Sequence, residues 1–206
     1  MEREQQEPER RRPPRTITPL STPAIGGKGM LRFPYSQEEL RALVKSALDE
    51  DGAFNDVTTL ATVVSARRAR GRLVARRAGV VCGVPLAVEA FCMLDPKVTI
   101  RVDQEDGARV ERGDSILYLT GHARALLAAE RVALNFMQRL SGVASLTARY
   151  VDEVRGTKAR IVDTRKTTPG WRLLEKYAVR AGGGTNHRLN LSTAVLIKDN
   201  HLAAVD

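Results

Sequence analysis

Residues 159–201 read ARIVDTRKTTPGWRLLEKYAVRAGGGTNHRLNLSTAVLIKDNH. Two short apolar runs in this stretch, Ile161-Val162 and Val195-Leu196-Ile197, each lead into positive charge: Arg165-Lys166 follows the first and Lys198 the second. Between them lie a helix-length segment, the triplet Gly182-Gly183-Gly184, and His187-Arg188. This order predicts a strand–helix–strand unit with its cations at the strand ends, and parallel α/β folds bind ligands at the carboxyl ends of their strands. Residues 160–201 hold eight Lys/Arg against three Asp/Glu, so the expected ligand carries several negative charges.

The crossover between the two runs has its own signals. Thr168 is placed to cap a helix and Pro169 suits its first turn. Leu173, Leu174, Tyr177 and Ala178 form the stripe to be buried, and Gly182 can stop the helix. The connection up to Thr193 is long enough for a right-handed parallel crossover. Arg165 offers a planar fork of donors for a carboxylate or phosphate, and Lys166 a compact charge for phosphate. Arg188 could clamp a second carboxylate, and His187 could donate a hydrogen bond or carry a proton. The glycine triplet permits close backbone approach or positive φ. It matches neither GxGxxG nor GxxxxGK[ST], which disfavours a Rossmann or P-loop reading. Asp199-Asn200-His201 is read as fixing the loop after the second strand.

Upstream, residues 36–50 predict a helix: Ser36 and Glu39 form a capping box, Leu40, Leu43, Val44 and Ala47 its apolar stripe, and Gly52 its end. Residues 71–120 are a run of short strand-like segments broken by Gly and Asp, with a helix from Pro85 to Leu94. Arg112-Gly113-Asp114 is read as a hairpin turn rather than an adhesion motif. Residues 122–139 predict a strong helix through Leu126, Leu127, Glu130, Ala133, Leu134 and Met137. Ser141-Gly142 is expected to interrupt it. A second helix follows with Val143, Leu146, Tyr150, Val151 and Val154 on one face, closed by Gly156. Residues 1–33, rich in Glu, Arg, Pro and Gly without an apolar period, are expected to be a disordered tail.

The chain has 206 residues, 43% of them apolar, enough for one large or two small domains with a true core. Aromatics are few and Ala, Val and Leu carry the apolar weight, which favours α/β packing. The net charge of +9 suggests nucleic acid first, but the charge is interleaved with strand ends and glycines, without a basic helix or stacking platform. No nucleic-acid or membrane partner is therefore expected. Cys82 and Cys92 stand in no metal or redox spacing and are read as reduced buried thiols. With no apolar leader or membrane-length run, the chain is read as cytoplasmic.

Several motifs now converge. DTRKTTPGWRLLEKYAVRAGGGTNHR at 163–188 and VLIKDNH at 195–201 resemble the quinolinate phosphoribosyltransferase family, also called nicotinate-nucleotide pyrophosphorylase (carboxylating). AERVALNFMQRLSGVAS at 129–145 looks like the family's connecting helix, and NDVTT at 55–59 fits its N-terminal domain. The resemblance spans residues 34–206. Two positions depart from it: Asn190 stands where the family usually has Gly, and Thr193 where it often has Asp.

The resemblance implies an α/β protein of two domains, with residues 34–140 as an N-terminal α/β sandwich and 141–206 as the first part of an incomplete α/β barrel. It implies transfer of phosphoribosyl from phosphoribosyl pyrophosphate to quinolinate with loss of CO2. The products would be nicotinate mononucleotide and pyrophosphate, with Mg2+ as cofactor, in de novo NAD biosynthesis. Carried over residue by residue, Arg131 would reach quinolinate across a homodimer interface. Thr164, Arg165 and Lys166 would end the first barrel strand, His187 and Arg188 would contact the quinolinate carboxylates, and Lys198 would sit between quinolinate and the phosphates. Lys166 and Lys198 are the catalytic candidates, and no protein metal ligand is expected. The family continues beyond the second barrel strand, so this chain is expected to be a fragment with little activity alone. The alternatives are a related phosphoribosyltransferase of another aromatic acid, and an anion-binding fragment without turnover.

Overall fold

A computed structural model describes residues 15–17 and 31–205. Its strands are β1 (Arg15–Ile17), β2 (Arg68–Val74), β3 (Gly79–Val80), β4 (Thr99–Val102), β5 (Arg109–Val110) and β6 (Ser115–His122). Four of them form an antiparallel sheet in the order β1-β4-β6-β2, and β3 pairs with β5 apart from it. Alternation sets the faces of the larger sheet. Leu73, Ile100, Val102, Leu117 and Leu119 are buried in the core, while Arg68, Arg70, Arg72, Thr99 and Arg101 are exposed.

Helix α1 (Gln37–Glu50) starts with the predicted capping box: Glu39 N–H donates to Ser36 Oγ at 3.2 Å and Ser36 N–H to Glu39 Oε2 at 2.7 Å. Gly52, at φ 66°, follows its end. Helix α2 (Val57–Thr62) is capped by Asp56, and α3 (Val84–Leu94) carries Pro85 in its first turn, as the sequence predicts. Arg112-Gly113-Asp114 does form a turn, with Gly113 at φ 95°. It is not a hairpin, because β5 and β6 belong to different sheets.

The predicted break at Ser141-Gly142 does not occur. Helix α4 runs unbroken from Ala123 to Glu153, through the expected domain boundary at 140/141. Ser141 has a tertiary role there: its Oγ accepts from Cys82 N–H at 2.9 Å and donates to Cys82 C=O at 3.1 Å. One turn later Ser145 Oγ accepts from Val80 N–H at 2.8 Å. The two hydroxyls, on one face at i and i+4, thus satisfy backbone groups of the 80–82 segment that would otherwise be buried unpaired. Gly79 lies so close that a Cβ there would sit 2.5 Å from Ser145 Oγ. Leu146 and Tyr150, expected on the buried face, are exposed; Ala144, Thr147 and Ala148 are buried instead. Gly156, at φ 83°, closes the helix region.

Most of the expected disordered tail, residues 1–14 and 18–30, lies outside the described residues. Within it, however, Arg15–Ile17 adds a strand to β4, and Ile17 is buried.

Helix α5 (Arg172–Ala181) starts three residues later than predicted. Its N-cap is Trp171, with Gly170 at φ 79° in the turn before it. Leu174, Tyr177 and Ala178 are buried as expected, Leu173 only partly. Gly182 is the C-cap. The parallel partner of the first apolar run is the segment after the glycine triplet: Val162 bridges Thr185. The predicted second strand, Val195-Leu196-Ile197, is exposed and unpaired among the described residues. Its unbroken apolar character suits a strand covered on both faces, and no described residue supplies that cover.

Asp106 ties α5 to the first half of the chain. Its carboxylate accepts from Tyr177 Oη at 2.7 Å and Val84 N–H at 2.9 Å. Burial pushes its pKa up to about 6, hydrogen bonds from Val84, Tyr177 and Gly83 pulling only partly back. The native state therefore holds this proton more tightly than the unfolded chain, whose carboxyl titrates near 3.8. Stability from this source is fully present below that value and lost as pH rises through about 6. The urea midpoint of Asp106→Asn minus that of the wild type should thus rise between about pH 4 and pH 7; a difference independent of pH would refute the assignment.

A continuous α4 makes a second prediction. Gly142 is exposed in the helix, with open space where a Cβ would stand, so Gly142→Ala should stabilise the chain by about 0.5–1 kcal/mol. A Cβ at Gly182 would overlap the Ala144 carbonyl oxygen, so Gly182→Ala should cost about 1–3 kcal/mol. Denaturant titration of both variants reads the two signs.

Candidate active site

The first cationic segment leaves the parallel bridge and turns. Asp163 N–H donates to Thr185 C=O at 3.2 Å, and Thr185 N–H to Ile161 C=O at 2.9 Å. Beyond this point the two segments are held by side chains. Asp163 Oδ1 accepts from Lys176 Nζ at 2.5 Å and from His187 N–H at 2.8 Å, and its Oδ2 accepts from Asn186 Nδ2 at 2.6 Å. Lys176 Nζ also donates to His187 C=O at 3.3 Å, and Asn186 Nδ2 to Lys176 C=O at 2.8 Å. The ion pair is buried, with side chains 5% and 7% exposed for Lys176 and Asp163.

The loop after Asp163 carries Thr164, Arg165 and Lys166. Thr164 Oγ1 accepts from Lys166 N–H at 3.1 Å, folding the turn back on itself. Arg165 is half-buried and its Nε is buried without a partner, while Lys166 is exposed. Further on, Glu175 accepts from Thr168 Oγ1 at 2.8 Å and Thr168 N–H at 3.2 Å. Arg139 of α4 donates to Glu175 at 3.0 Å and to Thr168 Oγ1 at 3.2 Å. Trp171 stacks on Phe136 of α4, centroids 5.5 Å apart. The loop is thereby tied to both helices.

The glycine triplet has a packing role. Gly182 lies against Ala144 and Thr147 of α4, and a Cβ at Gly184 would stand 2.9 Å from Thr147 Cγ2. Gly183, at φ 86°, supplies the positive φ. His187 is exposed, while Arg188 is half-buried and donates through Nη1 to Ala194 C=O at 2.9 Å within its own loop. Asn190 Oδ1 accepts from Ser192 N–H and Thr193 Oγ1 donates to Asn190 C=O, so the two off-pattern positions hold that loop together. Lys198 precedes the short helix α6 (Asp199–Leu202), and its N–H donates to His201 Nδ1 at 2.9 Å. His201 thus fixes the loop, as expected.

The Asp163–Lys176 pair links the segment that carries Thr164, Arg165 and Lys166 to the backbone of His187, the residue before Arg188. Lys198 lies on the exposed stretch that follows. Arg131 stands elsewhere, exposed on α4 beside a groove of about 1040 Å3 that Arg70, Arg72, Arg76 and Arg77 also line. Among the described residues, Arg165, Lys166, Arg188 and Lys198 form no ion pair with an acid. Two of the three acids in the segment, Asp163 and Glu175, are engaged by Lys176 and Arg139.

The motifs did not mark Asp163, Lys176, Asn186, Arg139 and Glu175 as site residues. A signal existed for two of them: acids are scarce in this cationic stretch, and Lys176 interrupts an apolar helix face between Leu173 and Tyr177. No group of three or more His, Cys, Asp or Glu gathers to hold a metal among the described residues. Cys82 is buried, and burial drives its thiol pKa well up; Cys92, read as buried too, is only half so.

The family described as quinolinate phosphoribosyl transferase, N-terminal domain, matches residues 56–141, and its C-terminal domain matches residues 143–206. A protein from Mycobacterium leprae named nicotinate-nucleotide pyrophosphorylase [carboxylating] is 49% identical over 170 residues, covering 80% of this chain and 59% of that protein. A chloroplastic one of the same name from Arabidopsis thaliana is 43% identical over 93% of this chain and 56% of its own length. The crystal structure of NadC from Streptococcus pyogenes superposes with a TM-score of 0.79 at 45% identity, over 83% of this chain and 61% of that one. The architecture is therefore that of a phosphoribosyltransferase of mixed α/β type. The chain belongs to the quinolinate phosphoribosyl transferase family, and it spans less than two thirds of the length of these relatives.

The Arg139–Glu175 pair is exposed on its arginine side, so Arg139→Ala should cost less than about 1 kcal/mol of global stability. It should nevertheless loosen the 164–170 loop. Trp171 is the single tryptophan, and acrylamide should quench it more strongly in the variant; an unchanged quenching constant would count against the clamp.

Proposed function

We propose that the chain serves phosphoribosyl transfer to quinolinate. The pyridine nitrogen attacks the anomeric carbon of phosphoribosyl pyrophosphate, pyrophosphate departs, and the ring carboxylate beside the new pyridinium leaves as CO2; the electron pair left on that ring carbon takes up a proton from solvent. The products are nicotinate mononucleotide, pyrophosphate and CO2, on the de novo route to NAD. The observation that carries this reading is that, among the described residues, Arg165, Lys166, Arg188 and Lys198 have no acidic partner while Asp163 and Glu175 are neutralised. A dianion and a polyphosphate need such a pocket, because unpaired cations keep their full charge for the ligand.

In this reading Arg165, His187 and Arg188 hold the quinolinate carboxylates and align the nitrogen. Thr164 shapes the turn that presents Arg165 and Lys166. Lys166 and Lys198 face the phosphates and stabilise charge growing on the leaving group. Mg2+ would travel with the pyrophosphate substrate; the described residues offer it no cluster of carboxylates. In the same reading Arg131, exposed on α4 beside the arginine-lined groove, reaches the quinolinate of a second copy of the chain. No described helix is long and apolar enough to cross a membrane, and a cytoplasmic location is proposed with the rest.

Titration calorimetry with quinolinate tests the site directly. Binding by the wild type is expected, at least about tenfold tighter than binding of nicotinate, which lacks one carboxylate, and Arg188→Ala should remove most of that preference. Equal affinity for the two acids would reject the dicarboxylate clamp and favour a related transferase of another aromatic acid.

A further inference from the structure

We infer that Asp163, Lys176 and Asn186 are positioning residues for His187 and Arg188, a role that rests on the substrate reading above. The backbone ladder between the two cationic segments stops at Thr185. From there His187 is held on both sides of its backbone by side chains: its N–H by Asp163 Oδ1 at 2.8 Å, its C=O by Lys176 Nζ at 3.3 Å. Asn186 is held in turn by Asp163 Oδ2 at 2.6 Å. Arg165 lies two residues after Asp163, and Arg188 two residues after Asn186. The same carboxylate therefore links the two chain segments that carry these arginines.

A stabilising role alone accounts poorly for this arrangement. Buried ion pairs are often replaced by apolar residues of similar volume without loss of stability. An apolar pair at 163 and 176 could fill the same space, yet it could hold neither the N–H nor the C=O of His187. The other two acids of the segment do not substitute for Asp163. Glu175 is bonded to Thr168 and Arg139, and Asp199 opens α6 beyond the loop. Displacement of one carboxylate contact by about 1 Å is enough to weaken recognition severely. The positioning is directed at the dicarboxylate end of the site, because the backbone contacts of Lys166 and Lys198 go to Thr164 and His201 rather than to the Asp163–Lys176 pair.

The test compares the 206-residue chain with the double variant Asp163→Leu/Lys176→Met, which leaves no lone buried charge. Asn186→Ala, which keeps the ion pair, is the milder variant should the double variant not fold, and the same directions are expected of it. Three readouts are taken: a thermal melt, calorimetric affinity for quinolinate and for inorganic pyrophosphate, and amide hydrogen exchange at residue level. The expected result is a cooperative melt, with exchange around His187 faster by about tenfold or more and α4 unchanged. Quinolinate affinity should fall by about tenfold or more while pyrophosphate affinity stays unchanged. Unchanged exchange around His187 overturns the proposal, as does faster exchange with quinolinate affinity intact. A parallel loss for both ligands overturns it too, because that is the mark of a general structural defect. A wild-type chain that fails to bind quinolinate rejects the substrate reading instead, and exchange around His187 then still decides whether the ion pair holds that peptide.

Discussion

Close approach to α4 is the constraint on which the other elements depend. A helix of 31 residues is about 46 Å long, and β2, β3, β6, α3 and α5 all pack against it. Backbone can come this near only where side chains are missing, and once there its polar groups need partners. Gly79 and Gly83 face Ser145, Leu140 and Met137, and the serines at 141 and 145 bond the intervening backbone. Close by on the same helix, Ala144 and Thr147 receive Gly182 and Gly184. Small residues on α4 and glycines on its neighbours are one solution written on two sides of an interface.

That packing explains how the charge is divided. Helix α5 and the glycine triplet are fixed against α4, and the site loops extend from them. Two acids of the segment are neutralised where they hold those loops: Asp163 meets Lys176, and Glu175 meets Arg139. A carboxylate paired with Arg165 or Arg188 would instead have neutralised the cationic loop itself. Pairing the acids with Lys176 and Arg139 ties down the loops and leaves the remaining cations without an acidic partner among the described residues.

Element types were largely legible in the sequence because they rest on local patterns. The capping box at Ser36, Pro85 near the start of α3 and the apolar stripe of α5 are all short-range signals. The misreadings share a cause: both elements are decided by tertiary contacts, which a local pattern does not carry. Ser141-Gly142 looks like a break until Ser141 is seen bonding Cys82. The run at 195–197 looks like a strand, but a strand is defined by its partner and it has none among the described residues. The cationic residues were legible because a family motif marks them in order. Asp163 and Lys176 lie within the same motif, but their roles stayed hidden, since pairing across 13 residues is visible only when the helix between them is folded.

Asp106 and Tyr177 connect these levels. Tyr177 packs edge-on to Phe33 at 5.1 Å and donates to Asp106, while Arg180 donates to Arg32 C=O at 3.0 Å. One face of α5 therefore docks on residues from the first half of the chain, and the residues preceding Tyr177, Glu175 and Lys176, hold the site loops. The position of Lys176 is set by Tyr177, its neighbour in the helix, and hence by a buried carboxylate 71 residues before that tyrosine. Because burying that carboxylate is costly unless donors meet it, the hydroxyl of Tyr177 and the N–H of Val84 must both be in place. The first half of the chain and the site loops thus form one cooperative unit, and the orientation of the cationic segment is a consequence of packing made far from it in sequence.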